Sequence, residues 1–265
     1  MYTNYYPSSQ LFHGSVPYLM GTRLDALLFG EEPAALDALW RKIEAEIRRL
    51  ERMLNRFDTE SELFRLNRDA VLYPVGAPDE LWSILQDCRH YFERTEGCFD
   101  ITRGKFDRVE FDDEHRTVFL KDGANFDAGG YAKGYALRQI RFRLEAEAGH
   151  RALINFGDSS ILAVGAHPHG EYWPVGIDNP YSRVRMDDFR LCDGSLSVSG
   201  NMPSHPAHIV RPETGTYVTE RKIIAVVADD PVDAEVLTTA LMVAEQEQVE
   251  RIVNRFKIKE YKIYE

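Results

Sequence analysis

Leu36, Leu39, Trp40, Ile43, Ile47, Leu50 and Leu54 recur at spacings of three and four, the period of an amphipathic helix. Pro33 stands where its first turn should be, a position where the missing amide costs nothing. The opposite face, with Arg41, Lys42, Glu46, Arg49 and Arg52, reads as a solvated surface. Ahead of it, "YLMGTRLDALLF" (18–29) has partly alternating apolar positions and reads as a strand. "DTESELFRLNR" (58–68) opens with capping residues and reads as a short helix. Asp79 and Glu80 start another, which runs through Trp82, Ile84, Leu85 and Tyr91 and stops near Gly97. "RTVFLKDG" (116–123) reads as a strand closed by a turn, 130–148 as a helix and "ALINF" (152–156) as a strand.

From about 160 to 228 the pattern shifts to strands and turns. "WPVGIDNP", "FRLCDG", "SLSVSG" and "AHIVRPETGTYV" each end in Gly, Pro or Asn-Pro punctuation. "KIIAVVA" (222–228) is a continuous apolar run, expected as a central strand. "VDAEVLTTALMVAEQ" is expected as a helix behind it and "IKEYKIYE" as a C-terminal edge strand. No linker, repeat or low-complexity stretch interrupts the 265 residues. The economical expectation is one α+β domain over residues 1–265, a largely antiparallel sheet flanked by helices.

Composition narrows the function. Hydrophobic residues make up 44% and charged residues 28%, ordinary for a globular chain. A formal charge of −11 argues against nucleic acid or an anionic membrane as partner. An anionic ligand then needs local help from a metal ion, a lysine or a helix N-terminus. Three cysteines, Cys88, Cys98 and Cys192, without a Cys-x-x-Cys pair, argue against a disulfide framework or a thiolate zinc site. No run approaches a membrane span, and the N-terminal residues lack a basic region followed by an apolar core. The expected location is cytoplasmic, or periplasmic if a signal has been removed.

Four stretches carry candidate chemistry. In "FDAGGYAKGYA" (126–136) glycines surround Lys133 at the start of a helix, although each glycine in a helix costs roughly 1 kcal/mol against alanine. Bare amides there would attract phosphate, with Lys133 projecting toward the same anion. A tight strand-to-helix turn with a surface lysine satisfies the same pattern. In "AEVLTTA" (234–240) Glu235 and Thr239 share a helix face, and a carboxylate with a hydroxyl suits Mg²⁺. A dipole-favouring glutamate and a threonine bonded back to a carbonyl would look alike. His208, in "HPAHIVRPETG" (205–215), could be a general base or a half-buried, hydrogen-bonded histidine. In "TEGCFDITRG" (95–104) Asp100 could read the edge of a heterocycle with Phe99 beneath it, or the stretch could be a plain connection. No Gly-x-Gly-x-x-Gly, Walker A or Gly-x-Ser-x-Gly pattern is present.

The order of these stretches is informative. "LMGT" (19–22), "FDTESELFRLN" (57–67), "GCFDIT" (97–102), "FDAGGYAKGYA", "INFGD" (154–158), "SVSG" (197–200), "HIVRPETG" (208–215) and "AEVLTTA" follow one another along nearly the whole chain. This succession resembles the ApbE-like family, the FAD:protein FMN transferases, whose fold is T-fold-related. The resemblance implies that the bare turn holds the FAD pyrophosphate and a Mg²⁺ ion. The Gly130 carbonyl, Glu235 and Thr239 would bind the metal, and Asp127 and Lys133 would contact FAD. Met20 and Phe57 would line the flavin pocket, while Cys98, Phe99 and Asp100 would touch the nucleotide. His208 would lie near the reacting phosphate as the base. The implied reaction cleaves FAD, attaches FMN through a phosphoester to a Ser or Thr of an acceptor protein, and releases AMP. FAD hydrolysis to FMN and AMP, or flavin binding without catalysis, are the alternatives. The chain has Glu235 where the family usually has Asp, Gly157-Asp158-Ser159 in place of a Gly-Gly-Asp/Asn segment, and Arg211 where Asp is usual.

Overall fold

The structure is a computed structural model and describes residues 2–147, 151–201 and 208–265. Its N-terminal part is a meander of β1 (Tyr2–Tyr6), β2 (Leu11–Leu19) and β3 (Thr22–Phe29), followed by helix α1 (Pro33–Leu54). Helix α2 (Glu62–Asp69), the short β4 (Val75–Gly76) and helix α3 (Asp79–Arg94) come next. Then β5 (Val109–Asp112), β6 (Thr117–Leu120), α4 (Ala132–Ala146), β7 (Arg151–Phe156) and β8 (Ser160–Val164). The last third holds β9 (Trp173–Asp178), β10 (Arg185–Leu191), β11 (Gly194–Gly200), β12 (Ile223–Ala228), α5 (Pro231–Val243), α6 (Gln246–Val253) and β13 (Ile258–Tyr264).

Eight strands form one sheet in the order β1-β2-β3-β7-β8-β11-β12-β13, and every neighbouring pair is antiparallel. The expected α+β architecture on a largely antiparallel sheet is therefore present. Helices α1, α4 and α5 lie against one face and share the main core with Trp40, Tyr131, Phe156, Ile224 and Val226. The β9–β10 hairpin covers part of the other face, packing Trp173, Val175, Ile177 and Phe189 on Ile161, Ala163, Ala225 and Val227. Double coverage explains why β8 and β12 are buried along their whole length and why β12 reads as an unbroken apolar run. β9, covered on one face, alternates buried and exposed. A second small sheet orders β4-β6-β5.

Three expectations change. Residues 18–29 are not one strand: Met20 and Gly21 both have positive φ, +47° and +81°, and turn the chain from β2 into β3. Glu46 is not on a solvated face. It is buried, where Arg49 Nη2 and Arg143 Nη2 donate to it at 2.6 and 3.0 Å, because α4 packs over that side of α1. The Arg49 hydrogen bond, working against burial, holds the Glu46 carboxyl below its ordinary range. The "AHIVRPETGTYV" stretch is a tight turn carrying a single bridge, Val210 to Tyr217, rather than a strand; its first residue, Ala207, lies outside the described residues, as does His205.

Helices α4 and α5 approach each other at Gly134. A Cβ built there would lie 2.8 Å from Glu235 Cβ, 2.8 Å from the Pro231 carbonyl oxygen and 3.0 Å from Val232 Cα. Two of these neighbours are backbone, so they have no rotamer with which to yield. Gly134→Ala gains about 1 kcal/mol of helix propensity but overpacks a rigid contact, a change that costs about 1–3 kcal/mol. The expected outcome of a thermal melt is a net loss of stability in Gly134→Ala, whereas an exposed helical glycine changed in the same way would gain.

Candidate active site

Lys133, in the first turn of α4, and Glu235, in the second turn of α5, meet across that close helix contact. The Lys133 ammonium pairs with Glu235 Oε1, and the glutamate side chain is only 6% exposed. Its other oxygen, Oε2, accepts from Ser160 Oγ at 2.5 Å and Ser197 Oγ at 3.1 Å. Both serines are buried on neighbouring sheet strands, β8 and β11. One turn later Thr239 Oγ1 bonds back to the Glu235 carbonyl at 3.3 Å, and a Cβ on Gly130 would lie 3.1 Å from that hydroxyl and 3.6 Å from the Phe99 ring. Gly130, Lys133, Glu235, Thr239 and Phe99 thus form one cluster.

The donors in that cluster are of the kind a hard cation takes. The Gly130 carbonyl, the Glu235 carboxylate and the Thr239 hydroxyl are all oxygen donors, and the bare Cα of Gly130 leaves the space beside Thr239 that a side chain would fill. Among the described residues no three or more His, Cys, Asp or Glu side chains gather as a metal-binding group. A cation here would rely on a single protein carboxylate.

Asp127 lies just before α4, its amide donating to the Ile101 carbonyl at 2.6 Å. Arg56 Nη1 donates to its Oδ2 at 2.8 Å, and Arg103 Nη1 stands 3.9 Å from the same oxygen. The Arg56 guanidinium also covers the Phe57 ring, 4.8 Å from its centroid, and Arg103 approaches Tyr217 at 5.9 Å. A row of three charges, Arg56, Asp127 and Arg103, therefore runs between the Phe57 ring and Tyr217 in the turn that follows His208. Phe57 itself is 79% exposed, a large ring open to a stacking partner. Met20 lies outside the Lys133 cluster: its amide donates to Glu51 Oε1 at 2.8 Å, near the C-terminal end of α1 where Phe57 also sits. His208 is exposed at the head of its turn.

Asp100 is committed to its own loop. Oδ1 accepts from the Thr102 amide and hydroxyl, both at 2.6 Å, and Oδ2 from the Gly104 amide at 2.7 Å. Gly104 has φ +100°, and a Cβ there would strike the Pro212 carbonyl at 2.2 Å, so only glycine lets this loop rest on the His208 turn. The two loops bound a cavity of about 1100 Å³, lined by Cys98, Asp100, Pro212, Glu213, Lys222 and Gln248 among others. Neither Lys133 nor Glu235 lines it. The cavity is large enough for a dinucleotide; Cys98 and Asp100, the chain neighbours of Phe99, line it, while Phe99 itself faces Gly130. At its rim Arg211 pairs with Glu220.

A family model described as the ApbE family matches residues 20–109 and 104–262. The chain belongs to the ApbE family. Among curated relatives, a FAD:protein FMN transferase of Klebsiella pneumoniae is 23% identical over 92% of this chain and 82% of its own length. One from Escherichia coli K12 is 21% identical over the same shares. Among solved structures, the ApbE protein of Thermotoga maritima superposes with a TM-score of 0.81 at 21% identity, covering 92% of this chain and 90% of that one. The flavin transferase ApbE of Vibrio cholerae gives 0.81 at 19% identity, covering 95% and 96%. These likenesses are of fold. No helix among the described residues is long and apolar enough to cross a membrane.

Arg56, Arg103, Ser160 and Ser197 were not singled out in the sequence. Arg56 adjoins the "FDTESELFRLN" segment and Arg103 follows "GCFDIT", so proximity to motifs was the available signal. Ser197 opens the "SVSG" stretch, whereas Ser160 lies in no motif. Cys98, at the cavity wall, is pushed up to about 11 by burial, with neighbouring glutamates adding to the effect; Cys88 is buried and its thiol is pushed up by that burial too, while Cys192 is exposed. Because the thiolate is the reactive form and access to it is needed, iodoacetamide at pH 8 should label the exposed Cys192 at least about tenfold faster than the buried Cys98. Peptide mass mapping over time checks the order.

Proposed function

We propose that this chain is a Mg²⁺-dependent flavin transferase that cleaves FAD, attaches FMN to a serine or threonine hydroxyl of an acceptor protein and releases AMP. The observation that carries the reading is the buried Lys133–Glu235 pair beside Gly130 and Thr239, set within an ApbE fold whose curated relatives bear the transferase name. We further propose that residues 1–265 act as a single domain, since one core cluster runs from Phe12 to Phe256.

Gly130, Glu235 and Thr239 would hold the metal ion, which when bound supplies positive charge to the diphosphate. Lys133 and amides at the start of α4 hold the same phosphates; no side chain caps that helix, although the Tyr131 and Ala132 amides already donate to the Ala128 carbonyl. Phe57 and Met20 flank the flavin, and Arg56 keeps Asp127 oriented at the edge of the site. His208 takes the proton of the acceptor hydroxyl as its oxygen attacks the FMN phosphorus. The new bond is oxygen to phosphorus, the bond that breaks joins that phosphorus to the bridging oxygen, and AMP leaves with the electron pair. An exposed His208 suits this role, because a protein hydroxyl must reach it from outside.

Purified protein given FAD, Mg²⁺ and acceptor should release AMP, and EDTA should abolish the release. His208→Asn should lower the rate by about 10²–10⁴-fold, the usual worth of a general base, with FAD affinity nearly unchanged. Equal loss of binding and turnover would assign His208 a structural role. FAD binding with no AMP in any condition would favour the non-catalytic reading.

A further inference from the structure

The Lys133–Glu235 contact poses a problem of charge. An ammonium and a carboxylate already neutralise each other at a site where their side chains are 21% and 6% exposed. A divalent cation arriving alone would leave an excess of two positive charges there, and desolvated charge without a counter-charge is strongly disfavoured. A diphosphate diester carries two negative charges. Cation and diphosphate together restore neutrality, and the diphosphate offers Lys133 a new partner.

The two oxygens of Glu235 are held differently. Oε2 is fixed by two neutral donors, Ser160 and Ser197, while Oε1 takes the single mobile cation, Lys133. Behind them Ser199 donates to Thr238 Oγ1 at 2.9 Å, and Thr238 donates to the Glu235 carbonyl at 2.9 Å, which steadies the helix turn that carries the carboxylate. Neutral anchors hold the carboxylate in place without spending its charge. When Lys133 leaves, Glu235 is left in position as a full anion.

We infer that Lys133 is a resident cation that blocks Glu235 against divalent metal until a bound diphosphate draws it away, with Ser160 and Ser197 holding the carboxylate through the exchange. The inference rests on the reading of this site as one for FAD. It makes metal binding dependent on the nucleotide and the nucleotide dependent on the metal, by the same factor in each direction.

The test is Mn²⁺ binding, followed by the electron paramagnetic resonance signal of the free ion, with and without FAD and with no acceptor protein present. Glu235→Gln identifies the component of binding that belongs to this site. Wild-type protein should bind Mn²⁺ at least tenfold more tightly with FAD than without. Lys133→Met should bind Mn²⁺ more tightly than wild type in the absence of FAD, and its response to FAD should shrink. Ser160→Ala, which leaves both charges in place, should keep the fold and the order of binding but weaken Mn²⁺ in the FAD complex. Equal Mn²⁺ affinity with and without FAD, while FAD still binds in EDTA, would overturn the gate and leave the flavin reading intact. Failure to bind FAD both in EDTA and with Mn²⁺ present, by a protein with an undisturbed melt, would overturn the flavin reading and the gate with it.

Discussion

A buried ion pair between two helices decides how the rest of this molecule is arranged. Lys133 can reach Glu235 because α4 and α5 pack at a separation that only a glycine at position 134 permits. That separation brings Gly130 against Thr239 and Phe99, and it turns Glu235 toward two buried serines on the sheet beneath. Such a pair is weak as a source of stability, since desolvation offsets much of the attraction. Its value lies in position: a charged group is held at a helix start, in a place where its partner can be exchanged.

The longer glutamate arm fits this setting. Glu235 takes hydrogen bonds from Ser160 and Ser197 on the sheet while also meeting Lys133 on α4. Outside the pair, charge is distributed rather than concentrated. Asp127 is shared between Arg56 and Arg103, each of which leans on an aromatic ring. These contacts tie the end of α1, the 97–104 loop and the turn after His208 to one another, even though the chain as a whole is strongly acidic.

Much of this was legible in the sequence, for definite reasons. The three-and-four spacing of α1, the turn-bounded apolar run of β12 and the glycine spacing around Lys133 are local patterns that local physics produces. Ser61 in the 58–68 stretch does cap α2, accepting from the Phe64 amide at 3.0 Å. The misreadings share a cause. Glu46 reads as solvent-facing because nothing nearby in sequence reveals that Arg143, 97 residues on, packs over it. The β2–β3 hairpin reads as one strand in the sequence because Met20, a residue uncommon at positive φ, makes the turn beside Gly21. Ser160 carries no motif, and Ser197, although it opens the "SVSG" stretch, has no role legible there; only the pairing of β8 with β11 places the two together.

The central claim is that Glu235 and a diphosphate compete for the same lysine. FAD affinity in EDTA, measured for wild type and for Glu235→Gln, tests it most directly, because no metal takes part. If Lys133 is withheld from the phosphates by Glu235, then neutralising the glutamate should tighten FAD binding severalfold. Weaker binding in Glu235→Gln, in a variant whose melting temperature is unchanged, would mean that Glu235 supports the nucleotide site directly and that the competition does not exist.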